Sequence, residues 1–497
     1  MSAGPLFRRT ETGSWQRCER CPTSAPLIPP LIESLLDPAR YPHPAGPVEL
    51  VETHISWVLL AGDYAYKFKK PVVLPFLDYG TVDKRRACCE AELRINRRYA
   101  PDLYLEVAHF DGEPAVRMRR FAEDDRLDHV CARGELTPDQ LSDLARRLAE
   151  FHAAAAVAGP AERFGEPAQV LAPALENFDE LEHLLPAECG RLARLKSWTL
   201  AEHTARRDAF ARRKAAGRVR ECHGDLHLGN LVLLAGRPTP FDAIEFNDDF
   251  RWIDVAAEIA FTYLDLLDHG RPGLAAWFLN EWLLWSGDYD ALAVLRFYAV
   301  YRAMVRAKVA AIQGKGTEAA EYLAMAEALT VPPPANLTIT FGLSGSGKTT
   351  AAKVLLLADA RAATIRLRSD VERKRLFGLA PDAASGGGIY DHEATVRTYG
   401  HLRTLAAEIV ADGWPVLVDA AFLKRAERDD FRALAAQLGI PFAILACEAP
   451  IDELRRRLAT RSGDASEATV QVLEQQVQWM QPLDEGERGV AISPARP

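Results

Sequence analysis

Residues 337–350 read Leu337-Thr338-Ile339-Thr340-Phe341-Gly342-Leu343-Ser344-Gly345-Ser346-Gly347-Lys348-Thr349-Thr350. Two glycines with four residues between them, then Lys-Thr, lie after an apolar strand and before an Ala-rich helix, which is the pattern and the setting of a phosphate loop. In such a loop the backbone N–H groups from Gly342 through Ser344, Gly345, Ser346 and Gly347 wrap nucleotide phosphates at a helix N-terminus. Lys348 would neutralise the β- and γ-phosphates, and Thr349, with Thr350 beside it, would hold magnesium.

Downstream of this loop, strand-like and helix-like segments alternate: 364–367, a helix from Asp370, 391–411, 416–418, 424–438 and 442–446. That alternation predicts a parallel sheet with crossover helices, an α/β P-loop domain. Asp370 and Asp419 stand where two strands end, the edge of an open parallel sheet that lines its ligand crevice. One of them can serve as a base and the other can organise metal. Gly386-Gly387-Gly388 is a short flexible spot. Arg455, Arg456, Arg457 and Arg461 offer planar, permanently charged groups for phosphoryl oxygens. Asp419 is followed by Ala420, not the Glu of a hydrolytic ATPase, which favours transfer to a hydroxyl over hydrolysis.

Upstream, Val331-Pro332-Pro333-Pro334-Ala335 removes three backbone donors directly before the strand and marks a domain boundary, separating 26–331 from 332–497. Residues 1–25 mix Gly, Ser, Pro and charge without a period and read as a disordered leader. In 26–331 strand patterns come first, at 49–60, 63–70, 104–109 and 114–119, with a helix at 83–99 between the two pairs. Helical patterns follow at 137–158, 190–215 and, nearly continuously, 254–329 with one break at Gly270–Gly273. A small sheet lobe therefore precedes a larger helical lobe, an α+β arrangement.

Between short apolar strands of that region lies His223-Gly224-Asp225-Leu226-His227-Leu228-Gly229-Asn230, followed by Phe241-Asp242-Ala243-Ile244-Glu245-Phe246. Phosphorylating a hydroxyl needs a carboxylate to take the proton and oxygens to hold magnesium on the phosphates. Asp225 is the candidate base, Asn230 and Asp242 the candidate metal ligands. His223 reads as a structural hydrogen-bonding residue and His227 as an ordinary loop histidine. Asp248, Asp249, Asp254 and Glu258 form an acidic crowd that could bind a polycation or could equally be a solvated loop and helix start.

Both halves resemble known kinases. The C-terminal 160 or so residues are similar to small P-loop kinases of the gluconate kinase, zeta-toxin and polynucleotide 5′-kinase type, a resemblance that gives Asp370 the base role and makes Arg455 and Arg461 lid residues over ATP. The His-Gly-Asp motif, four residues, Asn, then an Asp on the next strand resembles the aminoglycoside phosphotransferase and choline kinase branch of the protein-kinase-like two-lobed fold. Leu148-Ala149-Glu150-Phe151-His152 and Arg251-Trp252-Ile253-Asp254-Val255-Ala256 agree with it. By that resemblance Lys67 in Tyr64-Ala65-Tyr66-Lys67-Phe68-Lys69 is the phosphate-binding strand Lys, and Glu92 or Glu90 its helical partner. Alternation puts Lys67 and Lys69 on the same face, so only the resemblance selects Lys67. Only Gly62 marks the hairpin expected over ATP. The whole layout resembles a bacterial fusion family with an aminoglycoside phosphotransferase-like part and a C-terminal kinase or ATP-binding domain.

Composition sets limits on these readings. A chain of 497 residues with 48% hydrophobic and 26% charged residues is ordinary globular protein of two or three domains. Its net charge of -9 argues against broad binding of nucleic acid or anionic lipid. Eight cysteines without regular spacing suit reduced thiols, and the pair Cys18 and Cys21 lacks a second pair of zinc ligands. No membrane span or secretory signal is read, and a cytoplasmic location is expected. The sequence thus predicts an enzyme with ATP and Mg2+ at two sites, each transferring the γ-phosphate to a small-molecule hydroxyl. The competing reading is an N-terminal ATP sensor or scaffold beside a C-terminal kinase or ATPase switch.

Overall fold

The computed structural model describes residues 28–74, 77–385, 388–460 and 467–494, and the strand backbone of 7–9 and 15–17. Phe7–Arg9 and Trp15–Arg17 pair as antiparallel strands inside the stretch read as a disordered leader. The rest of that leader, Cys18 and Cys21, Gly386-Gly387 and Arg461 lie outside the described residues.

The first part opens on a five-stranded antiparallel sheet: β1 (Glu49–Glu52), β2 (Ser56–Ala61), β3 (Tyr64–Lys69), β4 (Tyr104–Phe110) and β5 (Glu113–Arg119), in the order β1-β2-β3-β5-β4. Residues 49–60 are two strands rather than the single one expected, because Thr53 and Ser56 close a tight turn through Thr53 N–H to Ser56 O (2.9 Å). Helix α1 (Val82–Asn96), capped by the Thr81 hydroxyl, crosses between β3 and β4 and buries Cys89, Glu92, Ile95 and Asn96.

The helical lobe begins with α2 (Pro138–Ala154), started by a Thr137/Gln140 capping box and Pro138, and burying Leu141, Leu144, Ala145, Leu148 and His152 at helical spacing. Next come α3 (Pro167–Leu184), α4 (Cys189–Ala205) and α5 (Arg207–Ala215). The expected helix over 190–215 is split at Arg206, and α3 was not expected at all. Proline punctuation at 160, 167, 173 and 186 hides α3, yet Ala174, Asn177, Phe178 and Leu181 bury one face of it with Pro173 inside. After the hairpin β6 (Leu231–Leu234) and β7 (Arg237–Pro240) follow α6 (Val255–Asp268), α7 (Pro272–Ser286), α8 (Leu292–Ile312) and α9 (Gly316–Leu329). The run 254–329 therefore breaks three times, the second break at Gly287, which ends α7 in the left-handed conformation.

The second part is a five-stranded parallel sheet ordered β9-β10-β8-β11-β12, built from β8 (Leu337–Phe341), β9 (Ile365–Arg368), β10 (Val416–Asp419), β11 (Phe442–Ala446) and β12 (Ala491–Ile492). Its helices are α10 (Lys348–Leu357), α11 (Ser369–Leu376), α12 (His392–Ala411), α13 (Arg425–Leu438), α14 (Ile451–Ala459) and α15 (Val470–Trp479). One continuous buried apolar cluster runs from Leu141 and Trp282 in the first part to Ile365 and Val416 in the second. Among the described residues no helix is long and apolar enough to cross a membrane.

Arg213, fully buried, locks the helical lobe together: it pairs with both oxygens of Asp254 at 2.7 and 2.8 Å and both of Asp288 at 2.9 Å. Removing the cation strands two buried carboxylates. Arg213→Ala is expected to lower stability by about 3–5 kcal/mol in urea denaturation; a loss under about 1 kcal/mol would show that water reaches the pair.

Candidate active sites

Lys67 and Lys69 lie on the same face of β3, and Glu92 of α1 reaches both, with one oxygen 2.9 Å from Lys67 Nζ and the other 2.7 Å from Lys69 Nζ. The two lysines then diverge: Lys67 also pairs with Asp242, while Lys69 pairs with Glu245 and approaches Tyr79 Oη. Glu90 is exposed and takes no part in this cluster. Burial works against ionisation of Glu92, but Lys67 and Lys69 overcome it and hold its carboxyl down to about 2. An unfolded Glu titrates near about 4.3, so this stabilisation is complete above that pH and is lost as pH falls towards 2. Glu92→Gln is expected to show it: the stability gap to wild type stays constant from about pH 7 to 5 and narrows below about pH 4.

Asp242 has φ of 62°, a left-handed conformation that costs a non-glycine residue about 1–3 kcal/mol and must be held by its surroundings. Its N–H donates to Tyr104 Oη (2.9 Å), and the next N–H, of Ala243, donates to Asn96 Oδ1 (2.9 Å). Asn96 in turn donates to Glu92 O, so α1 fixes both the Lys67 partner and the Asp242 turn.

In the loop 223–230, Asn230 Nδ2 donates to Asp225 Oδ2 (3.0 Å) and to Asp225 O (2.9 Å). His227 Nε2 stands 3.5 Å from Asp225 Oδ2. Burial raises the Asp225 carboxyl, but the neighbouring His227 more than offsets it, leaving the group well below the usual carboxylate range, while burial's downward push on His227 is outweighed by Asp225. His223 lies 2.9 Å from Phe241 O through Nε2 and accepts Asp225 N–H at Nδ1, and burial lowers its pKa, so it is a neutral structural imidazole.

Helix α6 grips this loop with three side chains on one face. Glu258 Oε2 accepts the N–H groups of His223 (2.7 Å) and Gly224 (3.0 Å), Thr262 Oγ1 donates to Leu226 O (2.7 Å), and Asp265 Oδ2 accepts Leu228 N–H (2.7 Å). Spacing of four and three residues is the signal that could have found them. Asp254 and Glu258, read as part of an acidic surface crowd, are buried and consumed by Arg213 and by the loop. Asp248 and Asp249 stay at the surface, paired with Arg251 and Arg163.

The second site is a cavity of about 1510 Å³ at the C-terminal edge of the parallel sheet. Residues 344–350, Asp370 and Asp419 all line it. Gly342 has φ of 147°, and a Cβ there would sit 2.2 Å from Cys447 O, so the loop needs glycine at this position. Lys348 Nζ donates to Gly342 O (2.8 Å) and Leu343 O (2.9 Å), folded back over its own loop. Gln476 of α15 accepts Ser344 N–H (2.8 Å), occupying a donor suited to a phosphate. Ser346 Oγ and Asp419 Oδ2 are buried without a hydrogen-bond partner.

Arg455 does not reach the cavity: it turns to Glu474 (2.8 Å) and Asp452 (3.1 Å) at the surface. Arg457, two residues on and so on another face of α14, lines the cavity and donates to Gly345 O (3.1 Å). The sequence also passed over Arg373, one turn after Asp370, buried, with NH1 on Ile389 O (2.9 Å) and its guanidinium over the Tyr390 ring.

A strand lysine paired to a helical Glu and to Asp242, beside the loop that carries Asp225 and Asn230, forms the first site in a two-lobed α+β part, and the second part is a P-loop α/β domain. Over residues 337–483 the chain matches the family described as an AAA domain. It is 31% identical to the uncharacterized protein Rv2004c of Mycobacterium tuberculosis over 443 residues, 86% of this chain and 88% of that one, and it belongs to the same family. Among solved structures, the GDP complex of wild-type aminoglycoside 2′-phosphotransferase-IIIa is 15% identical, covering 60% of this chain and 98% of that one at a TM-score of 0.37. The Mycobacterium tuberculosis APS kinase in complex with AMPPNP and APS is 22% identical, covering 33% and 92%, at a TM-score of 0.24.

Proposed function

We propose that the chain is an ATP-dependent phosphotransferase of two domains, 26–331 and 332–497, each with its own ATP·Mg site and each moving a γ-phosphoryl group to the hydroxyl of a small-molecule acceptor. The observation that carries the reading is Lys67, which pairs at once with Glu92 and Asp242, groups brought together from three separate stretches of chain. Lys67 is then placed for the α- and β-phosphates, with Glu92 orienting it.

In the first site the acceptor oxygen forms a bond to the γ-phosphorus as the bond to the ADP oxygen breaks, and the acceptor proton passes to the Asp225 carboxylate. A carboxyl held ionised is available for this throughout the neutral range. In the second site the loop 342–349 cradles the phosphates, Asp370 takes the proton, and Arg457 approaches the phosphates from α14.

The donor sets are oxygen only, Asn230 with Asp242 and Thr349 with Asp419, and the unpartnered buried oxygen of Asp419 fits a hard divalent ion. Magnesium at these residues would neutralise phosphate charge as the leaving group departs.

The test is the stoichiometry of AMPPNP binding by calorimetry in the presence of magnesium. Two equivalents per chain are expected, falling to one in Lys67→Ala and to one in Lys348→Ala. A single equivalent in wild type contradicts the reading.

A further inference from the structure

We propose that α7 and the turn after it couple the two nucleotide sites, with Glu281 and Tyr289 as positioning residues through which the first domain sets Asp370 and Asp419 of the second. This rests on the two-site reading above.

One face of α7 reaches the first site. Trp282 Nε1–H donates to His152 Nδ1 (3.3 Å), which leaves the proton on His152 Nε2, 3.2 Å from Glu258 Oε1. The other oxygen of Glu258 holds the two amides directly before Asp225. A second connection runs through Arg213, which ties Asp254 at the start of α6 to Asp288 in the turn after α7.

The opposite face reaches the second site. Asn280 brackets β9, donating to Thr364 O (2.8 Å) and accepting Arg366 N–H (2.6 Å), and β9 ends directly before Ser369-Asp370. Glu281 pairs with Arg366 at 3.2 Å. Tyr289 Oη donates to Glu372 (2.9 Å), two residues beyond Asp370 on α11, and Arg375 donates back to Leu284 O (2.6 Å). At the start of α7, a Cβ on Gly273 would sit 2.0 Å from Leu357 O, so this helix meets the end of α10, the helix that begins at Lys348, backbone to backbone. Two rigid helices in that contact transmit a shift rather than absorb it.

A second observation marks this seam as able to rearrange. Arg366 NH1, Arg373 Nε and Asp419 Oδ2 are all buried without a hydrogen-bond partner, and Glu281 and Asp419 both act electrostatically on Arg366. Each unmet buried group is costly, so a second arrangement, in which Arg366 NH1 meets Asp419 Oδ2 and Glu281 on NH2 shifts with it, competes with the present one. Filling either site biases that choice, which is what coupling requires.

The experiment uses the full chain and AMPPNP with magnesium. The Kd of the second site is measured in wild type with the first site filled, and in Lys67→Ala with it empty; the first site is treated likewise with Lys348→Ala. We expect the two second-site values to differ by about 5-fold or more and the first-site values by the same factor, because linkage is reciprocal. Placing Tyr289→Phe, which keeps the ring and loses only the hydroxyl, in each background is expected to bring both factors within about 2-fold of unity. Glu281→Gln is the second variant, should the first lower the melting temperature. A factor of one in wild type, or an unchanged factor in both variants, overturns the coupling while leaving two sites in place. A single binding equivalent in wild type overturns the two-site reading and the coupling with it.

Discussion

Lys348→Ala is expected to abolish nucleotide-dependent turnover at the second site, by about 10³-fold, with the fold intact. Lys348 is the cation of the phosphate loop, and at present its ammonium rests on the carbonyls of Gly342 and Leu343, partners it can exchange for phosphate oxygens. A preorganised charge aimed at a transferring phosphoryl group is among the largest single contributions a site makes, and one such group alone is worth about 10²–10³. Losing it also leaves the phosphates to a loop whose Ser344 N–H is already held by Gln476. Stability should change little, since a partly exposed side chain bonded to two loop carbonyls supports no core. Turnover assayed with and without the substitution, beside the thermal midpoint, checks both halves of this expectation.

Asp225→Ala is expected to remove transfer at the first site by about 10²–10⁴-fold, the usual worth of a positioned general base. The substitution frees Asn230 Nδ2 from one of its two contacts but leaves the other, to the backbone carbonyl of residue 225, so the loop keeps its shape. Glu258, Thr262 and Asp265 continue to hold its backbone from α6. AMPPNP affinity at this site should therefore stay within about 3-fold of wild type while transfer disappears, since a group that acts on the transition state lowers kcat without weakening ground-state binding. A parallel loss of binding would instead assign Asp225 to holding the nucleotide.

The P-loop was legible because a short run of backbone donors, fixed by glycines, leaves a local pattern in sequence. The grouping of Asp225 with Asn230 was legible for a similar reason, since both lie in one short loop. What stayed hidden is what depends on distant contacts. Alternation could not separate Lys67 from Lys69, because both face Glu92, and only the third partner distinguishes them, Asp242 for one and Glu245 for the other. Arg455 and Arg457 are equally basic, and the rotation of α14 against the sheet decides which meets Gly345. Asp254 and Glu258 looked like surface acid because Arg213 and the amides of His223 and Gly224 come from elsewhere in the chain. Helix α3 escaped because Pro173 within it is offset by tertiary burial of Phe178 and Leu181.

The most direct test is phosphate transfer from γ-labelled ATP with magnesium into a bacterial metabolite extract, comparing wild type, Asp225→Ala and Lys348→Ala and following free phosphate beside labelled products. The account predicts that each substitution removes a different labelled product and spares the other, apart from the change in rate that coupling imposes. If Asp225→Ala leaves every product in place while Lys348→Ala removes all turnover, the first domain is a sensor or scaffold and the two-kinase account is wrong.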